Sequence, residues 1–181
     1  SLLPADVAVQ WAREVGPDFH ARFSARYRRY RYLVLTRAQR SALAAGSACL
    51  ERRPLDAPRM HEAAQCLLGE RDFSAFRGAG CQSRTPMRRL DRIAVSRAGE
   101  LLTIEVEANA FLLHMVRNIA GSLLAIGTGE RSPQWLAGVL ESRDRTLAGA
   151  TAPAQGLYLV DVGYDAQLGL PRAPAGPWFA C

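Results

Sequence analysis

Leu101-Leu102-Thr103-Ile104-Glu105-Val106-Glu107-Ala108-Asn109-Ala110-Phe111-Leu112-Leu113-His114-Met115-Val116-Arg117-Asn118-Ile119-Ala120-Gly121 changes period part-way along its length. Up to residue 108, Leu102, Ile104, Val106 and Ala108 alternate with Thr103, Glu105 and Glu107, the pattern of a strand with one face in a core and the other outside. From residue 109 to 129 the chain is apolar on nearly every side, which predicts an enclosed helix following directly on the strand and ending near Gly127 and Gly129. Working backwards, the turn at Ala98-Gly99-Glu100 joins the strand to another at residues 88–96. A hairpin feeding a buried helix sets the fold class: α+β, an antiparallel or mixed sheet covered by helices on one side.

Within that helical segment Arg117 is the only formal charge. At helical spacings of three and four it shares a face with Leu113, His114, Ala120 and Gly121. A guanidinium rising from an apolar stripe is costly unless an anion meets it, so the sequence asks for a carboxylate or phosphate at this point. The competing reading is an Arg whose stem carries its head group to solvent. A membrane span is the poorer reading, because His114, Arg117, Asn118 and Gly121 interrupt the run.

Farther out the pattern continues. Residues 7–12 (Val-Ala-Val-Gln-Trp-Ala) predict a strand, and Gly16-Pro17 a turn. Residues 25–36 predict a second strand, with Tyr30, Tyr32 and Val34 on one face and Arg29, Arg31, Leu33 and Leu35 on the other. Aromatics interleaved with Arg suit base stacking and phosphate contact, and they equally suit ordinary cross-strand pairs; both readings stand. Asp56 caps a predicted helix that has Pro58 in its first turn, runs to Leu68 and closes at Gly69. Its buried stripe is Met60, Ala64, Leu67 and Leu68, which makes His61 and Cys66 packing residues. Residues 72–76 read as a short extended piece. The loop Arg77-Gly78-Ala79-Gly80 is too short for a phosphate cradle and lacks the Lys-Ser/Thr of a P-loop. Ser132 and Pro133 start a helix over residues 134–141, packed through Trp135, Leu136, Val139 and Leu140. Residues 156–164 are a last strand. The predicted organisation is one domain over residues 1–164 and a Pro- and Gly-rich surface tail over 165–181.

Composition narrows the partners. The chain has 181 residues, 49% hydrophobic and 22% charged, a size for one full core. Net charge is +6 with no Lys, and seven Arg fall between residues 22 and 40 and seven more between 71 and 97. Arg grips phosphate in a bidentate fork, so an anionic partner, RNA first, is expected. Cys49, Cys66, Cys81 and Cys181 include no close pair, and His20, His61 and His114 make no metal-ligand spacing, so no metal and no disulfide framework are expected and the setting is reduced and cytoplasmic. The chain opens at Ser1 without an initiator Met and reads as a piece of something longer.

Several motifs resemble, in order, the tRNA pseudouridine synthase A family: Phe19-His20-Ala21-Arg22-Phe23-Ser24, Arg29-Tyr30-Arg31-Tyr32, Cys81-Gln82-Ser83-Arg84-Thr85-Pro86, Ala108-Asn109-Ala110-Phe111 with His114-Met115-Val116-Arg117-Asn118-Ile119, and Gly156-Leu157-Tyr158-Leu159. The likeness runs from about residue 3 to 179. It implies conversion of uridine to pseudouridine in the tRNA anticodon stem-loop (positions 38–40) by a homodimer that uses no cofactor or metal. It also implies roles. Tyr30 would stack on the extruded uracil and serve in the closing proton removal, and Arg117 would pair with the catalytic aspartate. Leu157 would wall the base pocket, while Arg22, His20 and Arg84 would hold the RNA. Such chemistry needs a carboxylate near the sugar, a cation to orient it, an aromatic platform and a dry pocket.

One departure matters. The family's aspartate sits in an Arg-Thr-Asp-x-Gly motif that is absent here; Arg84-Thr85 is followed by Pro86, and Asp144-Arg145-Thr146 has the wrong order. Asp72 and Asp91 lie amid Arg and read as local ion pairs. Two expectations follow: an enzyme segment whose nucleophile lies upstream, so that the chain alone is inactive, or a non-catalytic RNA-binding or dimerisation module on the same scaffold. A weaker third is a basic domain with a small anionic ligand at Arg117.

Overall fold

In the computed structural model, which describes residues 2–171, β1 is Tyr27–Thr36, β2 Cys49–Glu51, β3 Gly69–Asp72, β4 Met87–Ala98, β5 Leu101–Ala108 and β6 Leu157–Gly163. The helices are α1 (Ala57–Ala64, prolonged by a 3-10 turn at Gln65–Leu67), α2 (Met115–Gly127) and α3 (Trp135–Ser142). They form the expected α+β architecture. One mixed sheet runs β2-β1-β5-β4-β3, and β6 also pairs with β1. β2 lies parallel to the end of β1 and β6 antiparallel to its start, so the two share one edge of β1.

The two faces of the sheet divide as the alternation requires. Tyr32, Val34, Ile93, Leu102, Ile104, Val106 and Ala108 enter one core with Met60, Leu67, Met115, Ile119, Leu123 and Leu136 from the helices. Each fully buried Leu or Ile of this layer contributes about 1.5–3 kcal/mol over its exposed state. On the opposite face Arg29 meets Glu107 at 2.7 Å and Arg31 meets Glu105 at 2.7 Å, directly across β1 and β5. The Arg side of β1 is therefore committed to cross-strand pairs, while its Tyr side turns towards the helices.

Four local expectations are corrected. Residues 7–12 form no strand: Val7, Val9 and Trp11 are exposed, because an apolar stretch becomes a strand only where another strand offers a hydrogen-bonding edge. α2 does not follow β5 directly. Residues 109–114 are a loop that ends at His114 in a left-handed conformation, φ 58°, so Leu113 and His114 are exposed and lie outside the helix that carries Arg117. The loop is tied at both ends: Asn109 N–H donates to Arg89 O at 3.1 Å and Gly78 N–H to Leu113 O at 2.8 Å. Residues 72–76 are not extended throughout, since Ser74–Phe76 is a 3-10 turn that buries Phe73, Ala75 and Phe76. The helix capped by Asp56, whose Oδ1 accepts from Arg59 N–H at 3.0 Å, tightens after Ala64 instead of running to Leu68. The expected tail at 165–181 is described only to residue 171; there Asp165 meets Arg26 at 3.0 Å, and Ala166–Leu168 is a 3-10 turn. Residues 172–181, with Cys181, lie outside the described residues.

Candidate active site

A cleft of about 890 Å³ opens where β1, β6 and the start of α2 meet the 81–86 and 109–114 loops. Tyr30 from β1, Leu157 from β6 and Arg117 from α2 line it together with Phe111, Arg22, Arg28 and Arg88. Tyr30 reaches the wall because it shares the inward face of β1 with the buried Tyr32 and Val34 and lies nearer the start of the strand. Phe111 stands edge-on to its ring, centroids 5.1 Å apart at 86°, a geometry that holds an aromatic platform still. Burial pushes the Tyr30 hydroxyl above its ordinary value against a lowering pull from Arg28, so at neutral pH the group is a protonated donor.

Arg117 is clamped through its backbone neighbour. Its Nε–H donates to Ala152 O at 2.7 Å, and Ala152 N–H donates to Arg117 O at 3.1 Å. Beneath this pair, the fully buried Asn118 gives its Nδ2–H to Phe76 O at 2.8 Å and takes the Thr151 hydroxyl on Oδ1 at 2.6 Å, with Arg145 Nη2 on the same oxygen at 3.1 Å. The 149–152 segment crosses α2 at glycines on both sides; a Cβ on Gly121 would lie 1.7 Å from Ala150 O. One edge of the guanidinium is thus fixed. Among the described residues no carboxylate pairs with Arg117, and its side chain is half-buried on the cleft wall and not free in bulk water.

The other predicted residues divide. Arg22 lines the cleft from the 19–24 turn, its guanidinium 5.7 Å from the centre of the Phe23 ring. His20 does not line it: its Nδ1 accepts from Arg22 N–H at 3.1 Å and Phe23 N–H at 3.3 Å, shaping the turn that presents Arg22. Arg84 is exposed on the 81–86 loop and also stands outside the lining. Sequence reasoning missed Arg28, which donates to Asn109 O at 2.7 Å, and Arg88, the most enclosed cation among the described residues. Arg88 left a signal, since it sits two residues before the inward Leu90 on β4 and so points to the core face.

The cleft holds four arginines and a histidine and no Asp or Glu. Four aspartates are engaged elsewhere: Asp91 with Arg89 at 2.7 Å, Asp72 with Arg143 at 3.4 Å, Asp161 accepting the Tyr27 hydroxyl at 2.8 Å, and Asp144 capping Thr146 N–H at 2.8 Å. Among the described residues no three His, Cys, Asp or Glu side chains converge on a metal position. No described helix is long and apolar enough to cross a membrane. The site as it stands can stack a flat base and receive anions, and it lacks the carboxylate needed for chemistry at a sugar carbon.

Residues 63–165 match the sequence profile of the family described as tRNA pseudouridine synthase. Over 177 residues the chain is 53% identical to the tRNA pseudouridine synthase A of Vibrio campbellii, an alignment that covers 98% of this chain and 67% of that protein. The same enzyme of Tolumonas auensis is 53% identical over 178 residues (98% and 68%), and that of Coxiella burnetii 53% over 179 (99% and 69%).

The chain belongs to the tRNA pseudouridine synthase family.

It spans about two thirds of the length of these relatives. The family profile covers β3 to β6 and therefore Arg88, Arg117 and Leu157, whereas Tyr30 and Arg22 fall within the longer alignments to whole synthases.

Proposed function

We propose that these residues form the base- and RNA-binding part of a tRNA pseudouridine synthase site, with the catalytic carboxylate supplied by a segment outside the 181. The observation that carries this is the cleft itself: an aromatic platform, an apolar wall and a fixed cation meet there with no acid among them. A uridine of the anticodon stem-loop is flipped into the cleft and stacks on Tyr30 against Leu157. The carboxylate enters opposite Arg117, whose free edge orients it. The carboxylate attacks C1′ and breaks its bond to N1, the uracil turns while held by Tyr30, Phe111 and Leu157, C5 then bonds C1′ as the carboxylate is released, and the C5 proton leaves last. Because Tyr30 is protonated in the open cleft, its hydroxyl acts first as a donor to the turning base, and it can accept the C5 proton only after passing its own proton on. Arg22 and Arg28 face the phosphates, the partner is tRNA, the working unit a homodimer and the setting the cytoplasm.

The test is release of tritium from tRNA carrying 5-tritiated uridine. Joining the chain to a segment with Arg-Thr-Asp-x-Gly is expected to give turnover that is lost on Asp→Asn in that motif. The competing reading, a non-catalytic RNA-binding or dimerisation module, draws on the same acid-free wall and predicts tight tRNA binding with no release from the joined protein.

A further inference from the structure

Arg88 is the only charged side chain among the described residues that is more than nine-tenths buried, 8% exposed, and it lines the cleft without a carboxylate partner. Its guanidinium has five N–H donors. Nη1 donates to Thr85 O at 3.0 Å and to Met87 O, and Nη2 donates to Ser83 Oγ; Nε–H is buried with no acceptor. Every acceptor it has is neutral. Its charged neighbour Arg77 repels it, and Arg77 is itself spent on Cys81 O at 2.7 Å and Ser83 O at 2.8 Å. Cys81 is the one group nearby able to carry negative charge: burial raises its thiol, but hydrogen bonds from the Leu113 and Ser83 backbone and from Arg77 outweigh this and bring it below its ordinary range. A desolvated cation satisfied by carbonyls and a hydroxyl is destabilising, and it persists where a ligand supplies the missing charge. The 81–86 loop that closes over it has no regular structure and is exposed at Gln82, Arg84 and Thr85, so it can yield.

We propose that Arg88 is an anion site of the cleft, separate from the Arg117 edge, and that it takes one phosphodiester group of the RNA backbone beside the flipped nucleotide, one of whose oxygens replaces Ser83 Oγ on Nη2. This deepens the RNA reading above and rests on it. The phosphate replaces a neutral acceptor with a charged one on Nη2 and satisfies Nε–H by the same bidentate approach that arginine favours. Binding then reorders the 81–86 loop around the RNA, which gives this motif a reason to sit at the rim of a cleft whose chemistry lies elsewhere.

The test is filter binding of an anticodon stem-loop RNA to the full-length protein, with single phosphates replaced in turn by uncharged methylphosphonate. Wild-type protein is expected to lose about 10- to 100-fold in affinity at one phosphate next to the target uridine. Arg88→Met should show the same loss on unmodified RNA, no further loss at that phosphate, and a salt slope smaller by nearly one unit. Ser83→Ala should bind within about twofold of wild type, because the phosphate displaces that hydroxyl. If every methylphosphonate penalises Arg88→Met as it does wild type, or if Ser83→Ala weakens binding as much as Arg88→Met, Arg88 is only a staple for the loop and the site is refuted. Wild-type binding that ignores salt altogether would instead remove the RNA reading on which the site rests.

Discussion

Arg117 is oriented by a backbone carbonyl, and this decides what its substitution should do. Ala152 O fixes the Nε edge and leaves the rest of the guanidinium on the cleft wall, where a carboxylate can be received in one orientation. Arg117→Met keeps most of the volume and removes the charge. In a chain that carries the acid it should lower kcat at least about 100-fold while tRNA Kd stays within a few fold, since the lost interaction serves chemistry and not docking. Unchanged turnover would remove Arg117 from the site. Tyr30→Phe makes the complementary cut, because the ring keeps its edge-on contact with Phe111 and only the hydroxyl goes. The expected outcome is slower turnover with tRNA affinity retained; weaker binding at full turnover contradicts Tyr30 as the platform. Gly121 guards the clamp from below. A methyl group there meets Ala150 O at 1.7 Å, so Gly121→Ala should lift the 149–152 segment at about 1–3 kcal/mol, seen as a melting temperature at least about 3 °C lower. An unchanged melting curve would mean the crossing is looser than its geometry indicates.

Elements with a self-contained signal were the legible ones. The β4–β5 hairpin could be read residue by residue, since Leu102, Ile104, Val106 and Ala108 alternate with polar positions and Gly99, at φ 60°, makes the turn. Residues 7–12 are also apolar enough for a strand and stay unpaired, because a strand's hydrogen bonds belong to its neighbour and the sequence of one strand does not say whether an edge is on offer. The start of α2 was misread for a related reason: the apolar run is continuous, and the break comes from one left-handed residue, His114, and from anchors on Gly78 and Arg89 that are distant in sequence. β2 is the short element whose hold depends on charge. Hydrogen bonds from Arg53 bring the Glu51 carboxyl below its ordinary range against burial, and Arg53 also meets Glu130 in the turn after α2. A depressed folded-state value contributes stability above the unfolded carboxylate pKa, and that stability is lost as pH falls through the folded value. Thermal melts below about pH 4.3 should therefore drop more steeply for wild type than for Glu51→Gln, which lacks the titrating group. Parallel acid limbs would show that the pair does not stabilise the strand.

At the scale of the molecule the cleft was only partly visible in advance. Tyr30, Leu157, Arg22 and Arg117 could be named from motifs, but that they share one wall depends on the register of β1 against β6, which pairs residues more than a hundred positions apart, and on the path of the 109–114 loop, which is tied to Gly78 and Arg89. Arg88 could be placed on the inward face of β4 from its spacing to Leu90, but the loop that encloses it belongs to the assembled fold and its depth was not legible. The assembled cleft then makes a demand that no single motif states. It gathers cations around an aromatic floor and offers no acid, so substrate binding and bond cleavage should be separable in this protein. The 181-residue chain is expected to bind tRNA with an affinity that falls steeply with salt, its log-log slope reflecting several phosphate contacts, and to release no tritium from 5-tritiated uridine in that tRNA. Adding the Arg-Thr-Asp-x-Gly segment should restore release while changing the salt slope little, because the added group acts on the sugar and the phosphates already have their arginines. Release of tritium by the 181 residues alone would mean that one of the acids now tied up at Asp72, Asp91, Asp144 or Asp161 swings into the cleft, and the division between binding and chemistry would have to be abandoned.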